Sequence, residues 1–402
     1  MSFIKTPTKG MRDLLPKDME LREYVLKVMK ETYKSFGFDI IQTPAVEHIE
    51  NLTGRQGGEN EKLIFKILKR GEKLNEGDLS NPDSLVDSGL RYDLTVPLAR
   101  FYANNMSILQ SPFRAFQMGN VYRAERNQKG RFREFMQCDL DILGEKTNLA
   151  EIELITAIVT FLKKLDFKGF TIKINDRRIL LQMMASASLP EDKKDSILIA
   201  LDKLDKIGIE GVKEELLKLE IAEENVNQYL ANFDKDSSKI QEFCANFQMD
   251  DVVVENLTTI IDTVSGLNEA NIVFDPTLVR GMGYYTGPIF EITVEDLASS
   301  IGGGGRYDEM VEKYANVSVP ACGFSIGFER LLLLLEERGF KIPETLVKKA
   351  YIINDNTNIK ELYPQIQEER KEGIIVKVVK RNKNFKFQIE SLENDGYTWI
   401  EC

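Results

Sequence analysis

The stretch that most constrains this chain runs from Pro112 to Gly144, PFRAFQMGNVYRAERNQKGRFREFMQCDLDILG. It reads as two strands joined by the polar turn Asn127-Gln128-Lys129-Gly130. On the return strand Phe132, Met136, Cys138, Leu140 and Ile142 share one parity, broken by Glu134. The opposite parity carries Arg131, Arg133, Gln137, Asp139 and Asp141, broken by Phe135. Strand side chains alternate between faces, so one face packs and the other presents charge. Antiparallel pairing brings Arg123 of the outgoing strand onto or beside that charged surface. A solvated sheet face of mixed charge accounts for the pattern as well as a binding floor does. As a floor, arginines, an amide and carboxylates on one rigid surface suit a phosphate and a small zwitterion together.

Composition narrows the classes. A chain of 402 residues, 43% hydrophobic and 29% charged, has material for two or three soluble domains. No apolar run approaches the length of about eighteen residues needed to span a bilayer, and no signal peptide opens the sequence. Cys138, Cys244, Cys322 and Cys402 lie far apart, without metal-ligand or disulfide spacing, so the cytoplasm is the default compartment. The one histidine, His48, reads as a surface or packing residue. Little material therefore exists for an imidazole metal site or a serine–histidine–aspartate triad, and no protein-held metal is expected. A net charge of −11 argues against nonspecific nucleic-acid binding by the whole surface. One local basic run, Lys377 to Lys386, holds five bases and no acid.

The order of motifs adds a family resemblance. Tyr122-Arg123-Ala124-Glu125-Arg126, with Arg133-Glu134-Phe135-Met136-Gln137-Cys138-Asp139, resembles motif 2 of the class II aminoacyl-tRNA synthetases in its histidine-specific form. Upstream, a helix from about Asp18 to Ser35, with Leu21, Val25, Met29 and Tyr33 at helical spacing, precedes a long strand from Phe36 to Pro44. That order resembles motif 1, the class II dimer element. Gly54 to Ser88 is polar and turn-rich, with a short strand from Leu63 to Leu68 inside it. Asp93 and Thr95 stand in a turn before a helix starting near Pro97, a capping arrangement that also matches the family's acid and threonine for the substrate amino group. Residues from about 176 to 264 read as a helical insertion without candidate chemistry. Arg280-Gly-Met-Gly-Tyr284-Tyr285 resembles the histidine-specific signature, with Gly283 where the usual form has an acid. Ala321 to Arg330, running into the apolar Leu331–Leu335, resembles motif 3. Ile301 to Arg306 is glycine-rich but lacks the lysine and hydroxyl of a P-loop.

The resemblance implies an α+β fold: a class II synthetase antiparallel sheet flanked by helices, a helical insertion and a small C-terminal α/β unit. The expected domains are 1–345, catalytic, and 346–402, a truncated anticodon-binding-like domain about half the family's length. The implied activity is that of a histidine–tRNA ligase using ATP and Mg²⁺, with histidine and tRNA(His) as partners, a homodimer, and no membrane. The implied catalytic residues are Arg280 and Arg123, gripping the α-phosphate of ATP from two sides. Glu125, Arg131 and Arg330 join Arg123 in binding ATP. Asp93, Thr95, Gln137, Asp141, Tyr284 and Tyr285 bind histidine, with Asp141 and Tyr285 on the two imidazole nitrogens. Two alternatives keep the same motifs. One is a silent paralogue serving as regulatory subunit of the phosphoribosyltransferase that begins histidine biosynthesis. The other makes histidyl-adenylate for a purpose other than tRNA charging.

Overall fold

In the computed structural model, residues 3–53, 60–75, 77–126, 131–267, 270–281, 283–295, 297–343 and 346–402 are described. The turn 127–130 thus lies outside the described residues. The chain divides into two compact units, Met1–Gly339 and Phe340–Cys402.

The first unit is organised on an eight-stranded sheet. Its strands are β1 (Asp39–Ile41), β2 (Phe113–Tyr122), β3 (Glu134–Leu143), β4 (Phe170–Asp176), β5 (Asn271–Phe274), β6 (Pro288–Val294), β7 (Leu297–Arg306) and β8 (Ala321–Gly327). Their order is β1-β2-β3-β8-β7-β6-β4-β5. The six inner strands run antiparallel, and the outermost pairs, β1 with β2 and β4 with β5, are parallel. The sheet is therefore mixed where the resemblance implied an antiparallel one. The ten-residue register of β2 on β3, Phe113↔Leu143 to Tyr122↔Glu134, is the hairpin read from the sequence.

The helix α1 (Pro16–Ser35) buries Leu21, Val25, Met29 and Tyr33, the four positions its apolar spacing picked out. The Tyr33 ring meets Phe116 of β2 edge-on at 5.0 Å. Burying side chains of this size stabilises by about 1.5–3 kcal/mol each. The expected long strand 36–44 shrinks to three residues. Phe36 and Gly37 instead turn the chain off the end of α1, with Gly37 at φ 77°, so only Asp39–Ile41 can pair. The strand expected at 63–68 likewise holds only Lys66–Leu68, in a small antiparallel sheet with Val46–His48 and Val86–Leu90. His48 is exposed at the end of one of those strands.

Two further helices position the site: α2 (Thr95–Asn105) and α3 (Leu149–Lys164). The insertion is helical, comprising α4 (Arg177–Ser186), α5 (Lys194–Leu201), α6 (Leu204–Lys218), α7 (Glu223–Leu230), α8 (Ile240–Ala245) and α9 (Asp251–Gly266). The helix α10 (Phe328–Glu337) follows β8 directly and buries the leucine run.

The second unit has a three-stranded parallel sheet, Ile375–Lys380, Lys348–Ile353 and Thr398–Glu401, with helices Ile359–Lys371 and Phe385–Asn394. Its basic run is less bare than the local sequence implies. Lys380 pairs with Asp355 at 2.5 Å and Arg381 with Glu401 at 2.8 Å, acids brought in by the fold. Among the described residues no helix is long and apolar enough to cross a membrane.

One buried ion pair ties the sheet to α3. Arg306, at the end of β7, donates from Nε to Glu151 Oε1 at 2.7 Å and from Nη2 to Oε2 at 2.8 Å. Its remaining donors reach the carbonyls of Glu145 and Thr147. Glu151 is 0% exposed. Removing one partner strands the other charge out of water, which costs about 3–5 kcal/mol. Urea unfolding of Glu151→Ala should show a loss of that size; a loss below about 1 kcal/mol, the worth of a surface pair, would mean the arginine is solvated.

Candidate active site

The charged parity of β3 faces a cavity, not solvent. Gln137 is 8% exposed and Asp139 and Asp141 are 3% exposed each, so the reading of this surface as a solvated sheet face is wrong. Both faces of β3 are covered: one by the core, the other by strands, turns and insertion residues around the cavity. Register explains the floor. Gln117, Asp139, Ser325, Gly303 and Glu291 lie side by side across β2, β3, β8, β7 and β6, and so share one face.

The main cavity has a volume of about 610 Å³ and collects Asp93, Thr95, Arg123, Arg131, Gln137, Asp141, Arg280, Tyr284, Tyr285 and Arg330. A second cavity of about 220 Å³ shares Arg123, Arg131, Gln137, Arg280 and Arg330 with it and adds Glu125 and Phe135. Every residue expected at the site from the sequence therefore lines one cavity or both. They come from β3, α2, α10 and the loops between, over two hundred residues apart in the chain.

The four arginines are held in different ways. Arg280 pairs with Glu291 at 2.9 Å, and its Nε is buried without a partner among the described residues. Burial alone would lower its pKa, but Tyr285 and Glu291 hold it above the ordinary value. Arg123 donates to the Tyr92 carbonyl at 3.2 Å and lies against the rings of Tyr92, at 4.2 Å, and Phe135, at 5.1 Å. Arg330 donates to the Ser300 carbonyl at 2.7 Å. Burial and then neighbouring Arg131 lower its pKa, opposed by Glu291 and Glu125. Arg131 reaches Glu125 at 3.4 Å. Such a set suits a polyphosphate.

The same cavity also gathers carboxyls, an amide and hydroxyls. Asp93 accepts from the backbone N–H of Val96 at 3.0 Å, so it caps α2 and lines the cavity at once. Gln137 donates to the Ser325 hydroxyl at 2.7 Å, leaving its buried Oε1 without a partner among the described residues. The Tyr307 hydroxyl donates to Asp141 Oδ1 at 2.5 Å, and Asp141 Oδ2 has no partner among the described residues. Burial pushes the Asp141 carboxyl up to about 7, against the pull of the Tyr307 hydrogen bond and with a push from Asp93. The Tyr284 and Tyr285 rings lie tilted by 55° with centroids 4.9 Å apart, and burial raises both hydroxyls.

Several cavity residues were not picked out from the sequence. Tyr307 and Ser325 belong to segments quoted only for their motifs. Asp139 has the parity of Gln137 and Asp141, a signal that could have found it. Asp202, Asp205 and Lys206, at the junction of α5 and α6, also line the cavity. The insertion therefore does contribute charged groups to the site. Nothing in its local lysine–glutamate pattern distinguishes these from surface residues. Asp202 lies beside the Gly281 backbone, where an added Cβ would stand 3.3 Å from its Oδ2.

Comparison with known proteins bears on the same residues. The family model described as histidyl-tRNA synthetase matches residues 10–331. The chain belongs to the histidyl-tRNA synthetase family. A histidine–tRNA ligase of Leifsonia xyli subsp. xyli is 44% identical over 358 residues, 85% of this chain and 83% of that protein. The crystal structure of histidyl-tRNA synthetase from Nostoc sp. PCC 7120 superposes with a TM-score of 0.80 at 26% identity, covering all of this chain and 92% of that one. A Bacillus halodurans C structure described as an ATP phosphoribosyltransferase regulatory subunit/histidyl-tRNA synthetase gives the same TM-score at 22% identity, covering 100% and 99%, and so shares the fold. The α+β synthetase fold, expected from the motifs, is the fold observed.

The raised Asp141 carboxyl sets a pH test. In the unfolded chain it titrates near the ordinary aspartate value of about 3.9. Between that value and about 7 the folded protein holds a proton that the unfolded chain has released, so stability falls as pH rises through this window. Three pH units correspond to on the order of 4 kcal/mol. Asp141→Asn keeps an acceptor for Tyr307 and removes the titration. Its melting temperature should exceed the parent's by a margin that widens from pH 4 to pH 8. A pH-independent margin would show that Asp141 is not forced neutral by burial.

Proposed function

We propose that this protein is a histidine–tRNA ligase that activates histidine with ATP and transfers it to tRNA(His). The observation that carries this reading is a cavity lined by four arginines together with buried acceptors and hydroxyls, overlapping a second that adds Glu125 and Phe135. Attack of the histidine carboxylate on the α-phosphate builds charge on phosphoryl oxygens and expels pyrophosphate, so preorganised cations supply most of the acceleration. Arg123 and Arg280 grip the α-phosphate from two sides. Arg330 and Arg131 hold the outer phosphates, with Glu125 beside Arg131. Phe135 and the Arg123–Tyr92 stack offer flat surfaces to the adenine.

Histidine lies among the carboxyls and hydroxyls. Asp93, Thr95 and Gln137 take its amino group. Asp141 accepts from one imidazole nitrogen, while Tyr285, with Tyr284 packed on it, donates to the other. An apolar analogue leaves these groups unpaired, which is a strong basis for discrimination. Mg²⁺ arrives with ATP: among the described residues no cluster of three metal-ligating side chains exists, and magnesium is commonly held by phosphates and water with one carboxylate, a place Glu125 fits. It would offset charge on the phosphates. The silent-paralogue reading is disfavoured because a histidine sensor has no use for the four arginines.

We place the dimer element at α1 and β1, where Ile40 is exposed on the sheet edge, and the protein in the cytoplasm. Residues 346–402 serve as a shortened anticodon-binding-like domain, with residues 1–345 catalytic.

The first test is exchange of labelled pyrophosphate into ATP, which should require both histidine and Mg²⁺. Exchange without histidine, or none from folded protein, would remove the ligase reading. Arg280→Ala should slow exchange at least about a hundredfold, the scale of losing one donor to developing charge, with little change in the KM for histidine. The opposite pattern, a normal rate with weak histidine use, would assign Arg280 to the amino-acid end.

A further inference from the structure

Three buried oxygens without partners among the described residues lie on alternate residues of β3: Gln137 Oε1, Asp139 Oδ1 and Asp141 Oδ2. Alternate positions on a strand sit on one face, roughly 7 Å apart. The outer two already have a use in the proposed reaction. The middle one has none.

A buried carboxylate oxygen without a donor is costly, and folded proteins rarely leave one so. Asp139 is 3% exposed and lines the main cavity. It stands in register between Gln117 and Ser325, and the Ser325 hydroxyl hydrogen-bonds its carboxyl. Burial, then Asp141, then Asp93 disfavour its ionised form, opposed by Ser325 and by Arg123. Two cations act on it, Arg91 and Arg123, but no ion pair reaches its free oxygen among the described residues, and Arg123 is engaged with the Tyr92 carbonyl and two rings.

We infer that Asp139 is a recognition residue for the amino acid, its free oxygen accepting a hydrogen bond from the substrate's α-ammonium. This rests on the ligase reading and adds a contact to it. An ammonium carries three donors, so Gln137 Oε1, Asp93 and Asp139 Oδ1 can each receive one, with the Thr95 hydroxyl sharing the donor that reaches Asp93. The substrate ammonium brings a donor and a positive charge to the free oxygen of Asp139. A carboxylate placed only to hold the sheet together would use both oxygens within the protein. The row also orders the ligand: ammonium near Gln137 and Asp139, imidazole beyond them at Asp141.

The test separates recognition from support. Binding of histidine and of 3-(imidazol-4-yl)propanoate, the same molecule without its amino group, is measured by calorimetry on the whole chain. In Asp139→Asn, histidine should bind at least about tenfold more weakly, the scale of a hydrogen bond to a charged group. The deamino compound and ATP should bind as to the parent. Asp139→Ser, which leaves room for water, should give the same pattern and serves if the asparagine variant misfolds. Unchanged histidine affinity, or equal losses for both imidazole compounds, would overturn the assignment while leaving the ligase reading intact. A parent that binds no histidine would remove both.

Discussion

The site exists because two positions in its floor, and one on the sheet's opposite face, have no side chain. A Cβ at Gly303 would stand 2.5 Å from the Arg280 guanidinium, and one at Gly323 would stand 1.9 Å from Asp141 Oδ1. At Gly304 it would stand 1.9 Å from the Gly323 carbonyl. Because β7 is bare, Arg280 can lie flat on the sheet and pair with Glu291 of the next strand. On the other face the rings of Phe290 and Phe324 stack at 5.5 Å across Gly304, with which both are in register. Two strands of separation would keep them apart if the middle strand carried side chains. The glycines thus serve the core and the cavity at once, by close approach and not by phosphate cradling.

Around this floor, buried ion pairs fix where each element sits. Glu329, in the first turn of α10, receives Arg12 and Arg22 and also the backbone N–H of Met136 at 3.4 Å. One carboxylate therefore joins the N-terminal segment, the hairpin and the helix that bears Arg330. The Arg306–Glu151 pair does the same for β7 and α3. Pairs of this kind add little net stability against an apolar replacement, but they demand one arrangement. Rigid supports are what a site acting by preorganised charge requires.

The active-site interior is the opposite of self-satisfied. Crowded arginines, and carboxyls pushed up by burial and by one another, are arrangements a chain selected for stability alone would avoid. A ligand with an anionic tail and a cationic head would relieve both. The imbalance expected at functional sites is visible, among the described residues, as buried oxygens and an Arg280 Nε without partners.

Much was legible in the sequence. The hairpin, the buried stripe of α1, the helical insertion and the strand-to-helix step into α10 all follow from local periodicity and turn chemistry. So does the placement of Arg123, Gln137 and Asp141 near one another, since a hairpin register is local. What alternation could not decide was whether the charged face of β3 met water or a cavity. That depended on β8, β7 and β6 extending the sheet beside it and on loops covering it, contacts formed over more than a hundred residues. The short β1, the parallel outer pairs, Asp202 at the cavity and the acids paired with Lys380 and Arg381 were hidden for the same reason. Residue type and spacing fix which face a side chain takes; only long-range packing fixes what stands opposite it.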